Sequence, residues 1–95
     1  MVISIQDICQ AATRKVRAAK SEELHEKYGN NTIVLFEDSY KYTAYGKDAE
    51  ILSEHCNVLT SLFAEVQSAE FRRDKADIVF PRLVRLGYKI AITNN

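Results

Sequence analysis

Near the start of the chain the apolar positions recur with a helical period. Ile5, Ile8, Cys9, Ala12, Val16 and Ala19 share one face, while Arg14, Arg17 and Lys20 step along a flank at three-residue intervals. Ser4 with Asp7 forms a capping box, and Ile3 can staple onto Ile8 across it, so a helix is predicted from about Ile5. The basic flank reads as solvated. Ser21 precedes Glu22 and Glu23 as a fresh N-cap would, which makes the stretch to Tyr28 either a second helix or a continuation. Gly29-Asn30-Asn31 ends it.

The period then changes. Thr32 to Glu37 is a β-branched and apolar run without alternation, the pattern of a central strand covered on both faces. Asp38-Ser39 turns the chain into a second strand, with Tyr40, Tyr42 and Ala44 on one face and Lys41, Thr43 and Tyr45 on the other. The two form a hairpin. Gly46 breaks to a helix over 47–56 with Ala49, Leu52 and Cys56 inward, closed by Asn57. Residues 58–71 read as extended, although no glycine marks a turn within them. Asp74 and Asp77 signal a helix start, and Ala76, Val79, Phe80, Leu83 and Val84 are assigned to its inner face despite Pro81. After Gly87, Tyr88, Ile90 and Ile92 alternate with Lys89, Ala91 and Thr93 in a last strand. Ile33, Leu35, Leu52, Val79, Leu83, Ile90 and Ile92 are the expected core.

These elements fit one α/β domain of 95 residues. The thirteen basic and thirteen acidic side chains cancel, so there is no global field to draw the protein onto nucleic acid or an anionic membrane. Any such binding must come from a local patch. Residues 61–95 hold six basic and four acidic side chains, against two and five in residues 31–60, so the basic bias lies in the C-terminal third. The longest apolar run, Ile33 to Phe36, falls far short of the roughly 20 residues that span a bilayer. Without a secretory pattern at the N-terminus, the expected address is cytoplasmic.

Chemistry is sparse. Cys9 and Cys56 stand inside apolar helical patterns and are expected as reduced, buried thiols, and neither forms a metal-ligand pair. His25 and His55 read as exposed helical residues without a nucleophile motif. Gly29, Gly46 and Gly87 stand alone at element ends, so no phosphate-cradling loop is present. No catalytic residues, metal or cofactor are expected.

Two stretches carry a family resemblance. Thr32 to Leu52 is similar to the apolar strand, the Gly-Asp-Phe-Tyr-Glu-x-Phe hairpin and the Asp-Asp-Ala helix start of the N-terminal, mismatch-recognition domain of MutS DNA mismatch-repair proteins. Phe80 to Ile92 resembles that domain's Lys-Leu-Val-x-x-Gly helix end and Val-Ala-Ile strand. The resemblance runs from about Glu22, which divides the chain into a helical extension over 1–20 and a MutS domain I-like domain over 21–95. It implies a mixed β-sheet flanked by helices, with an extra N-terminal helix.

In that family a Phe-x-Glu pair on the second strand reads the mispaired base. The matching positions here are Lys41 and Thr43, with Ser39-Tyr40 in place of Gly-Asp and Thr93-Asn94-Asn95 at the polar end of the last strand. An ammonium group that seeks water cannot act as an apolar wedge between base steps, and Thr43 has no carboxylate. Two functions follow. One is a DNA-binding module without mismatch specificity, with Lys41, Arg72, Arg73 and Lys75 on phosphates and Tyr40, Thr43 or Tyr45 in contact. The other is a protein-interaction module in a larger DNA-processing assembly, which meets a partner or second copy through Cys9, Ala12 and Val16.

Overall fold

The computed structural model describes the backbone of residues 5–63 and 65–93, and the side chains of 13–62 and 65–93. Helix α1, Ile5–Tyr28, is followed by strands β1, Thr32–Glu37, and β2, Lys41–Tyr45. Next come helix α2, Lys47–Cys56, and strands β3, Thr60–Phe63, and β4, Val66–Arg72. A 3-10 turn at Arg73–Lys75 leads into helix α3, Ala76–Arg85, and the last strand is β5, Lys89–Thr93. α1 runs without a break through Ser21, so residues 21–28 continue it. The Ser4–Asp7 cap and the Ile3–Ile8 staple fall outside the described residues.

The strands form one mixed sheet in the order β3-β4-β2-β1-β5. β1 and β2 pair antiparallel as a hairpin, while β5 runs parallel to β1 with Ile33 beside Ile90 and Leu35 beside Ile92. β1 is an interior strand, although the middle of the sheet is β2. Ile33 and Leu35 point into a cluster with Tyr42, Ala44, Leu52, Val79 and Leu83, beneath α2 and α3. Val34 and Phe36 point the other way, with Tyr45, onto Ala18 and Leu24 of α1. A strand covered on both faces has no reason to alternate, which accounts for the unbroken apolar run.

Extended chain over 58–71 resolves into the antiparallel pair β3–β4, with Phe63 beside Val66. Glu65 supplies the positive φ of the turn, 64°, where sequence reasoning looked for glycine. At Gly46 a φ of 62° with ψ of −128° is a conformation that side chains exclude, and it lets β2 turn directly into α2. Asn57, in the left-handed region, caps α2 as expected.

Four expectations need correction. Ile92 is 46% exposed because β5 is an edge strand with β1 on one side only, and Ile90 is half-buried. Val84 faces solvent, since the inward stripe of α3 is Ala76, Val79, Phe80 and Leu83, and position 84 lies one step around the helix. Asp74 and Asp77 make no cap bond, because α3 grows out of the 3-10 turn and the N–H of Ala76 is already bonded to the carbonyl of Arg73. His25 is not a free surface residue. It is half-buried against α2, as described below.

Candidate nucleic-acid interface

The hairpin end of the sheet gathers the basic side chains. Antiparallel pairing of β2 with β4 puts Lys41 opposite Arg72, and the backbone N–H of Arg73 donates to the carbonyl of Tyr40 at 2.9 Å. These contacts join the β1–β2 turn to the end of β4. The Tyr40 ring is 63% exposed, and the Lys41 ammonium stands 5.7 Å from its centroid. The Arg73 guanidinium lies 5.7 Å from the ring of buried Tyr42, and Lys75 follows on the exposed 3-10 turn. Tyr40, Lys41, Arg72 and Arg73 thus lie together at this end of the sheet.

Each of the three cations already has a carboxylate beside it. Lys41 Nζ meets Glu70 Oε2 at 2.6 Å, Arg73 meets Glu37 at 3.4 Å, and Arg72 meets Asp74 at 3.8 Å. The hydrogen bond that Lys41 donates to Glu70 raises the Lys41 pKa, so this side chain stays charged. A phosphate placed here must compete with the acids for these groups. Exposed ion pairs of this kind are held weakly, by about 0–1 kcal/mol each, so the competition is open.

Thr43 and Tyr45 do not reach this surface. Both are buried, because α1 lies over the face of β2 that carries them. Arg17 of α1 donates to both oxygens of Asp38, at 2.9 and 3.3 Å, and to the Tyr45 hydroxyl at 3.2 Å. The Thr43 hydroxyl donates to Asp38 at 3.4 Å. Arg17 also stacks 5.2 Å from the Phe36 ring. Its guanidinium holds the Asp38 carboxyl below its ordinary pKa and is itself held firmly protonated by Asp38. Arg14 donates to the carbonyl of Val66 and to Ser61 on the far strands. Arg14 and Arg17 of the basic flank, expected to be solvated, therefore clasp the sheet, while Val16 of the apolar stripe faces outward.

A second polar cluster escaped the sequence reading. Asp48, fully buried in the first turn of α2, accepts from the backbone N–H of Val34 at 3.0 Å and from Ser21 Oγ at 3.4 Å. His25 Nε2 lies 2.8 Å from the same carboxylate. Burial raises the Asp48 pKa, against the opposing pull of these partners. Ser21 and His25 both converge on the carboxylate, so the trio is a tie between α1, β1 and α2 and not a nucleophile with its base. The available signal was an acid in the first turn of a helix just after a glycine, which sequence alone reads as dipole complement.

Cys56 is half-buried and burial pushes its thiol pKa up, while the side chain of Cys9 is outside the described residues. Among the described residues no cluster of His, Cys, Asp and Glu could hold a metal ion. No helix there is long and apolar enough to cross a membrane.

A mixed five-stranded sheet lies between one long helix and two short ones, with carboxylate-paired basic side chains and an exposed tyrosine at its hairpin end, and this defines an α/β module. The sequence pattern of MutS domain I matches residues 19–95, and the chain belongs to that family. This is a family of DNA-binding, mismatch-recognition domains that are not themselves catalytic. No curated protein matches the chain.

Proposed function

We propose that this domain is a non-catalytic DNA-binding module without mismatch specificity, a cytoplasmic protein that touches phosphates through Lys41, Arg72, Arg73 and Lys75. The observation that carries the reading is what stands at the two positions matched to the family's Phe-x-Glu pair. Lys41 is an ammonium paired with Glu70, and Thr43 is 4% exposed and bonded to Asp38. Neither offers an apolar wedge or a free carboxylate. Tyr40, one residue earlier, is the exposed aromatic that remains for contact. In this reading the domain proper spans 21–95, and residues 1–20 before it are an extension whose Arg14 and Arg17 bond to the sheet.

Phosphate-dominated binding of this kind has a dissociation constant of about 10⁻⁴ to 10⁻⁶ M and weakens steeply with salt. Titration of the full chain with matched and G·T-mispaired duplexes tests it. Equal affinities are expected. A tenfold preference for the mispaired duplex, worth about 1.4 kcal/mol, overturns the claim that mismatch reading is lost.

A second reading, a protein-interaction module in a larger DNA-processing assembly, draws support from Val16, which is 59% exposed on α1. Cys9 and Ala12, the other residues assigned to that surface, have side chains outside the described set. Val16→Asp should then disrupt a complex or dimer while the chain stays folded. A folded variant with an unchanged assembly state removes α1 as the contact.

A further inference from the structure

β5 pairs with β1 on one side, and among the described residues no strand pairs with its outer edge. A row of unpaired backbone donors and acceptors is a template for another strand. Along this edge runs a groove of about 570 Å³, lined by β5 from Lys89 to Thr93 and by Lys20, Leu24 and Tyr28 of α1.

The two faces of β5 differ in chemistry. Ile90 and Ile92 stand beside Ile33 and Leu35, on the side of α2 and α3, and Ile92 is 46% exposed. Lys89, Ala91 and Thr93 stand beside Thr32, Val34 and Phe36, on the side of α1. Lys20 and Lys89 line that second side, and among the described residues no carboxylate does. We infer that β5 takes an added strand from a partner protein, an extended acidic segment in which apolar side chains alternate with carboxylates. The period of two places every apolar side chain next to Ile90 and Ile92 and every carboxylate on the face of Lys20 and Lys89. A second copy of β5 would bring another Lys89 and no acid, so it suits the groove less well. β1 separates this edge from the strand that carries Lys41, and the inference does not depend on DNA binding.

The experiment is an amide NMR titration of the full chain with two capped hexapeptides, one alternating Glu and Val and one alternating Lys and Val. The acidic peptide should shift the amides of residues 89–93 and bind at least about tenfold more tightly than the basic one, with affinity falling as salt rises. Lys20→Glu with Lys89→Glu should reverse the preference, and Lys89→Glu alone should weaken the acidic peptide if the double variant does not fold. Equal binding of the two peptides, no binding, or shifts centred on Tyr40 and Lys41 overturns the inference. So does a peptide-free dimer that protects the β5 amides, because the edge then belongs to a second copy.

Discussion

β1 and β5 lie side by side, run parallel, and read similarly as Thr-Ile-Val-Leu-Phe-Glu and Lys-Ile-Ala-Ile-Thr. Five of the six β1 residues are buried, whereas none of the five β5 residues is. The difference is positional: β1 has a strand on each side and helices over both faces, while among the described residues β5 has an open edge. Edge placement also suits the charge at Lys89 and the small side chain at Ala91, features that blunt or shape a free edge. The unbroken run of β1 therefore marked burial on both faces, whereas the alternation of β5 did not say that its outer edge stays open.

The largest effect should come from emptying the covered strand. Phe36 is fully buried, edge-on to Tyr45 at 5.4 Å between ring centroids, and Phe36→Ala should cost about 3–5 kcal/mol in urea unfolding. On the edge strand Ile92→Ala should cost less than about 1 kcal/mol. Similar losses at the two positions would break the contrast.

Asp48→Ala should follow in size. It leaves the buried N–H of Val34 and the Ser21 hydroxyl without their acceptor, at about 1–3 kcal/mol, and it unties β1 from both helices. Native-state amide exchange should show faster opening at Val34, with the β5 amides little changed.

Two carboxylates give the pH dependence opposite signs. Because burial raises the folded-state pKa of Asp48, this group favours folding most below its unfolded pKa, and the contribution is lost as pH rises through the folded value. Arg17 lowers the pKa of Asp38, so that contribution is present above the unfolded pKa and is lost as pH falls through the folded one. Unfolding curves of Asp38→Asn should consequently show a weaker loss of stability in acid than the parent chain.

A small change in stability should accompany the sharpest change in binding. Lys41→Glu, at a half-exposed position at the hairpin end, breaks the pair with Glu70 and sets two carboxylates side by side, so it should cost about 1 kcal/mol. It should weaken DNA binding and flatten its salt dependence, as fluorescence anisotropy can read. Unchanged affinity would place any DNA contact away from this hairpin.

The elements were readable because local chemistry specifies them. The unbroken run at 32–37, the glycine at 46, the asparagine at 57 and the period of α3 each fix a start, a stop or a face through backbone conformation and side-chain spacing. The resemblance singled out Lys41 on the second strand together with Arg72 and Arg73, but the β2–β4 pairing that brings them together lies in no local pattern. His25 and Arg17 were misread because an isolated charged residue on a helix looks alike whether it meets water or a carboxylate from another element.

The amino-acid sequence by itself determined most of the strands and helices and the two-sided burial of β1, since each rests on residue identity and short-range spacing. Tertiary structure alone decided which strand became the edge, which face of β2 is closed by α1, and where Asp48 finds its donors. Those outcomes depend on contacts between residues far apart in the chain, such as Arg17 with Asp38 and Asp48 with Val34, and packing of whole layers sets them.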